Sequence, residues 1–216
     1  MQKITKEEVF KLIQPYNNIY LYGGFVRDYL LGFKNKDYDV VSDNDTLVSL
    51  ADVVSKQYQV KRLIREKDVY SYKTDSELQF FTLRGNSIEI HGLHYTDFTM
   101  NALFMNKYGK IFDPTGYGEF DLKCGVIRCI NPEYSINQDP VRILRAIRFT
   151  VQYGFTIEKQ LEAIMYETLP LLLGDITYQW SIMTYILYVC DINKSRALEM
   201  FKKFKIKVKG GIHDIT

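Results

Sequence analysis

Two aspartates one residue apart, Asp37 and Asp39, follow a glycine pair, Gly23-Gly24, with Arg27 and Asp28 between them. Alternate side chains of an extended strand share a face, so the carboxylates of Asp37-Tyr38-Asp39 point the same way. Held together, they repel each other unless a cation sits between them. Mg²⁺ prefers such hard oxygen ligands and commonly shares them with substrate phosphates. Two such ions can clamp the attacking and leaving oxygens of an in-line displacement. The glycine pair lies where the apolar run Ile19 to Tyr22 gives way to a helical stretch, Phe25 to Leu31, closed by Gly32. Backbone without Cβ atoms can approach a triphosphate closely, and a helix start adds a positive dipole. Arg27 would add charge there. The blander reading is a glycine turn followed by a solvated D-x-D, a pattern common on its own.

A second constellation lies further on. Asp139 to Tyr153 reads as one amphipathic helix. At about 100° per residue, Arg142, Arg145 and Arg148 share one side, and Leu144, Ile147 and Val151 another. Asp139, one turn before Arg142, would share its face. A carboxylate beside a guanidinium fork can match the hydrogen-bonding edge of a base, or form an ordinary surface ion pair.

The elements that must hold these residues divide the chain. To about Cys129, strand and helix signals mix. Asp37–Val41 alternates as a strand, Asp45–Lys56 has helical spacing with Asp43 or Asn44 as N-cap, and segments around Val60, Tyr70, Phe80 and Ile88 read as further strands. From Asp139 the pattern is helical, over 139–153, 158–168, 176–189 and 194–204, punctuated by Gly154, Pro170, Gly174 and Asn193. The fold class expected is α+β: a mixed head over residues 1–130, then a small all-helical region over 131–216.

Composition bounds the function. The 216 residues suffice for one sizeable core or two small ones, and 46% hydrophobic with 25% charged residues suits a globular protein. A net charge of +2 supplies no global attraction to nucleic acid, so any such surface must be local. The three cysteines, Cys124, Cys129 and Cys190, have neither C-x-x-C spacing nor an even count and read as reduced packing residues. No stretch reads as a secretory signal or membrane span, which implies a cytoplasmic protein with no membrane partner. His91 and His94, flanking Gly92, read as a polar loop before a metal pair. Trp180 reads as core before a stacking platform. Lys202, Lys203, Lys205, Lys207 and Lys209 could contact phosphates or form a solvated tail.

Taken in order, the motifs resemble one family. Gly23 to Gly32 followed by Asp37-x-Asp39 is similar to the first motif of the class II CCA-adding enzymes and bacterial poly(A) polymerases. Asp97-Phe98-Thr99-Met100-Asn101-Ala102 resembles that family's ribose-recognising motif. Asp113-Pro114 through Asp121-Leu122 to Ile127-Arg128 resembles its hinge between head and neck. Asp139-Pro140-Val141-Arg142 with Leu144 to Phe149 resembles its nucleobase-selecting helix. The resemblance implies a polymerase-β-like head with a five-stranded sheet, a helical neck, and catalytic, metal-holding roles for Asp37 and Asp39 with Mg²⁺. Nucleotide-binding roles are implied for Gly23, Gly24, Arg27, Asp97, Asn101, Asp139, Arg142, Arg145 and Arg148. The reaction implied is transfer of CMP or AMP from CTP or ATP to an RNA 3′ end, that of tRNA first.

This sequence departs from the family pattern at several positions. The third acidic position is Gln79, for which Glu77 or Glu89 could substitute. The loop before the ribose motif shrinks to Gly85–Glu89. Tyr95-Thr96 replaces a basic pair, Gln138 a glutamate, and Gln179-Trp180 a glutamate and an arginine. The family's body and tail regions, which would follow Thr216, are implied to come from a homo-oligomer or a separate partner. These departures keep two other readings open: a relative that binds nucleotide or RNA without polymerising, and a nucleotidyltransferase acting on a protein or small molecule.

Overall fold

The computed structural model describes residues 3–34, 37–66, 69–75 and 77–206. It divides into two compact units, to Leu122 and from Lys123, a boundary earlier than the 130/131 expected from the sequence. The last turn of helix α5 (Gly118–Cys124) carries the chain from one to the other.

The first unit is built on a mixed sheet of seven strands, two more than the five expected, in the order β3-β4-β5-β2-β1-β6-β7. The strands are β1 (Tyr20–Tyr22), β2 (Tyr38–Ser42), β3 (Val60–Glu66), β4 (Val69–Thr74), β5 (Leu78–Thr82), β6 (Phe104–Asn106) and β7 (Ile111–Phe112). At one edge β6 pairs with β1 and β7 with β6. All pairings are antiparallel except β2 with β5, which run parallel with Asp39 opposite Gln79. Parallel neighbours need a long crossover. Here it runs through α3 (Asn44–Val54) and the β3–β4 hairpin. Asp43 caps α3, its carboxylate accepting from the Thr46 amide at 2.8 Å.

The two sheet faces are filled differently. On one, α1 (Lys6–Ile13), α2 (Gly24–Leu30) and α3 bury Val9, Ile13, Val26, Leu47 and Leu50 with Leu21, Val40, Leu78 and Phe80 of the strands. A capping box starts α1: Thr5 and Glu8 exchange backbone and side-chain bonds. On the other, a smaller apolar group gathers Val41, Leu83, Ile88 and Phe104 with Tyr20, Tyr22, Phe81 and Phe112.

Ile88 belongs to α4 (Ile88–His94), where the sequence suggested a strand. Ser87 accounts for the difference, because its side chain caps the helix start by accepting from the Ile90 amide at 3.2 Å. The residues 84–94 are thus ordered as a 3-10 turn and a helix. His91 and His94 lie on this helix and not in the polar loop expected; the buried His91 ring lies 5.0 Å from that of Tyr22, and its Nδ1 accepts from the Arg84 amide at 3.0 Å. His94 is exposed.

The second unit holds α6 (Pro132–Gln138), α7 (Arg142–Tyr153), α8 (Lys159–Gly174) and α9 (Gln179–Lys203), with a two-stranded parallel pair, β8 (Val126–Ile127) and β9 (Thr156–Ile157). Pro170 lies inside α8 and does not end it. Asn193 breaks α9 with φ −159° and ψ 97°, and its side chain caps the second stretch of that helix by accepting from the Arg196 amide. The side-chain surroundings of Gln179 and Trp180, and all of Lys207 and Lys209, lie outside the described residues. No described helix is long and apolar enough to cross a membrane. Cys124 is exposed, against its reading as a packing residue, while Cys129 is buried and Cys190 partly so.

Burial, then the charge of Arg84, lowers the His91 pKa from 6.5 to about 4. The unfolded chain therefore takes up this proton first as pH falls. Stability is full above about pH 6.5 and declines until about pH 4, by on the order of 3 kcal/mol. Urea unfolding at pH 7 and 4.5 should show that decline in the wild type and a smaller one in His91→Gln.

Candidate active site

The site begins at the end of β1. Gly23 follows it with φ 64°, a conformation that L side chains rarely adopt. Its amide donates to the Leu103 carbonyl at 3.1 Å, and its carbonyl accepts from the Arg27 amide at 3.0 Å. A Cβ on Gly24 would meet the Arg27 guanidinium at 3.5 Å. The turn is therefore fixed to the Asp97–Leu103 segment on one side and to α2 on the other.

Arg27 is not an open charge beside this turn. It is 7% exposed. Its Nε donates to Asp28 Oδ1 at 2.8 Å and its Nη1 to Asn101 Oδ1 at 2.7 Å. Asn101 Nδ2 in turn donates to Asp97 Oδ1 at 2.8 Å, and that oxygen also accepts from the Phe98 amide. The residues of two sequence motifs, distant in the chain, thus form one buried relay, Asp28–Arg27–Asn101–Asp97. Each end is a carboxylate, so the guanidinium is neutralised locally. An amide has two donor hydrogens and two acceptor lone pairs, so Asn101 keeps one of each beyond this relay.

The hinge residues lock onto the same segment. Asp121 is fully buried and accepts from Thr99 Oγ1 at 2.6 Å. Asp113 gathers the amides of Thr115, Gly116 and Glu119. A Cβ on Gly118 would come within 2.6 Å of the Thr99 carbonyl, so α5 packs here only as glycine. Thr96 bonds the Tyr22 hydroxyl at 2.6 Å, and Tyr95 lies under the Arg84 guanidinium at 5.2 Å. The two positions where the family carries a basic pair are therefore structural contacts here.

Asp37 stands just ahead of β2 and is exposed, whereas Asp39, inside the strand, is half-buried. Tyr38 and Val40 between and beyond them are buried against the helical face. Gln79 occupies the register position opposite Asp39 on β5 and is also half-buried. Glu77 does not extend that row. It lies before β5 at φ 69°, which breaks the alternation, and its carboxylate takes Lys3 Nζ at 2.5 Å. Glu89 is exposed on the first turn of α4. Among the described residues no three His, Cys, Asp or Glu side chains gather to hold a metal, so neither glutamate completes a carboxylate triad.

In the second unit, the single helix expected from Asp139 is two. Asp139 is the C-cap of α6, and α7 starts at Arg142. Its carboxylate accepts from the Val141 amide at 3.1 Å and its carbonyl from the Arg142 amide at 3.1 Å. Pro140 explains the break, because it disfavours helical backbone at the residue before it. Arg142 Nη1 donates to Ser135 Oγ of α6, so the arginine is braced by a serine that no motif or spacing singles out. Arg142, Arg145 and Arg148 are all half-buried, and Leu144, Ile147 and Val151 are buried as their spacing requires.

This architecture is an α+β fold of the polymerase-β-like nucleotidyltransferase class. Solved structures share it: the Thermotoga maritima CCA-adding enzyme complexed with tRNA superposes with a TM-score of 0.75 at 27% identity, over 95% of this chain and 52% of that one. A CCA-adding enzyme in complex with CTP gives 0.74 at 28% identity, over 94% and 53%. The family model of the Poly A polymerase head domain matches residues 19–128, and the chain belongs to that family. Among curated relatives, the CC-adding tRNA nucleotidyltransferase of Halalkalibacterium halodurans is 42% identical over 140 residues, 65% of this chain and 36% of that protein. The multifunctional CCA protein of Neisseria gonorrhoeae is 37% identical over 158 residues, 68% and 38%. The chain thus spans little more than a third of these relatives and about half of the solved chains.

Replacing Asn101 removes the middle of the buried relay. Asn101→Ala should destabilise the protein by roughly 2–3 kcal/mol, since two hydrogen bonds to charged groups disappear and their partners stay buried. Urea denaturation checks this; a change below about 0.5 kcal/mol would show that the relay does not bear on stability.

Proposed function

We propose that this chain is a metal-dependent nucleotidyltransferase that adds CMP or AMP from CTP or ATP to the 3′ end of an RNA, tRNA first, in the cytoplasm. The carrying observation is the register of Asp39 with Gln79 on the sheet face beside the fixed Gly23-Gly24 turn. The relatives named for CC addition, and the solved CCA-adding enzymes in complex with tRNA and with CTP, support the same reading.

The oxygen donors proposed for the metal are two carboxylates, Asp37 and Asp39, and the amide oxygen of Gln79. All are hard oxygen ligands and fit Mg²⁺. When bound, Mg²⁺ supplies charge neutralisation for the phosphoryl group in transfer. The backbone of the Gly23-Gly24 turn receives the triphosphate, with no Cβ in its way. The relay through Arg27 and Asn101 holds that turn, and the free valences of Asn101 are offered to a ribose hydroxyl. Asp139 and Arg142, with Arg145 and Arg148, take the base edge. No residue forms a covalent intermediate; alignment and charge carry the reaction.

Gln79 favours a second reading, a nucleotide-binding relative that does not polymerise. An amide ligates without supplying negative charge. Incubation with Mg²⁺, each labelled nucleotide and a tRNA lacking its 3′ end separates the two: incorporation establishes the transferase, and binding without incorporation the alternative.

Asp37→Ala with Asp39→Ala should cut incorporation roughly a hundredfold or more and abolish Mg²⁺-dependent nucleotide binding. Its thermal unfolding should stay close to the wild type's, because Asp37 is exposed and Asp39 half-buried. Retained activity in the folded double variant would remove the metal-site reading.

A nucleotide series tests the base edge. Wild type should bind CTP and ATP above UTP and GTP. Arg142→Ala should narrow that difference by roughly tenfold while triphosphate binding persists, since a buried site rejects a mismatched base through the polar groups left unpaired. Equal binding of all four by the wild type would reduce Asp139 and Arg142 to structural roles.

A further inference from the structure

The row that contains Asp39 and Gln79 continues across the sheet. Gln79 of β5 is opposite Lys73 of β4, and Lys73 is opposite Lys61 of β3. Directly opposed residues point to the same side of a sheet, and strands lie about 4.8 Å apart. One face therefore carries carboxylate, amide, ammonium and ammonium in sequence, the lysines about 10 and 14 Å from Asp39. Both lysines are exposed, and among the described residues neither has an ion-pair partner. Two lysines in direct register repel, which is unfavourable in an empty sheet. A polyanion laid across the hairpin removes that repulsion.

In-line chemistry decides which polyanion. Attacking oxygen and leaving pyrophosphate stand on opposite sides of the transferred phosphorus. The sheet order places the Gly23-Gly24 turn, at the end of β1, on one side of Asp39 and the β5-β4-β3 strands on the other. If the triphosphate lies toward the turn, the acceptor's 3′ end must arrive over β5 and β4. We infer that Lys73 and Lys61 hold backbone phosphates of the acceptor RNA strand, leaving the nucleotide's own phosphates to the turn. This rests on the function proposed above. It also answers the net charge of only +2, since the RNA-binding charge is local to one hairpin.

The test compares wild type, K61Q/K73Q and K61R/K73R in binding a short single-stranded RNA across a salt series, and in binding CTP with Mg²⁺. Thermal unfolding confirms that each variant is folded. Removing two phosphate-neutralising charges from a single-strand site should flatten the slope of log K against log salt by about 1.4 and weaken low-salt RNA binding roughly tenfold. CTP binding should be unchanged, and the arginine pair should restore RNA binding. A K61Q/K73Q protein with wild-type RNA affinity and slope overturns the inference, as does loss of CTP binding with RNA binding intact, which would give the lysines to the triphosphate. A wild type that binds CTP but shows no salt-dependent RNA binding overturns the inference alone. One that binds neither overturns the proposed function and the inference with it.

Discussion

The parallel pairing of β2 with β5 is the constraint on which the first unit depends. It is the one parallel contact among the described strands of the large sheet, and it needs the α3 and β3–β4 crossover to exist. Parallel strands want cover on both faces. The helices α1, α2 and α3 supply it on one side. On the other, α4 packs over Val41 and Phe81, and Asp39 and Gln79 of the same strands are half-buried. Functional side chains are placed more precisely on a strand than on a loop, and Asp39 and Gln79 both stand on strands.

The second device is the buried relay through Arg27 and Asn101. A guanidinium that is 7% exposed must be paired, and here Asp28 does so directly while Asn101 links it to Asp97. The relay ties α2 to the Asp97–Leu103 segment, and Asp121 and Gly118 tie that segment to α5. Glycine turn, ribose motif and hinge are therefore one mechanically continuous body. Its residues act largely by fixing backbone: the Gly23 amide is held by the Leu103 carbonyl and the Gly23 carbonyl by the Arg27 amide.

Much of this was legible from local pattern. The Asp43 cap, the alternation around Asp39, the strands near Val60, Tyr70 and Phe80, and the buried stripe Leu144, Ile147 and Val151 all arise from spacing that each element carries within itself. Local pattern misleads where one residue overrides it. Ser87 caps the segment around Ile88 as the helix α4 where a strand was expected, and Pro140 splits the helix expected from Asp139. Pro170 reads as a stop but is absorbed inside α8 at the loss of one backbone bond. Glu77 has the right parity for the acidic row, yet a left-handed backbone angle removes it.

The sequence by itself determined the family, the two carboxylates in alternation and the glycine turn ahead of them, because these depend on residue type and near spacing. Only the tertiary structure decided what stands beside each of them. Register across strands set Gln79 against Asp39 and Lys73 against Gln79, and long-range contact turned Arg27 from an open charge into the centre of a buried relay. His91 became a neutral core residue in the same way. Strand pairing and side-chain burial are relations between distant segments, and no local period in the chain encodes which partner a residue meets.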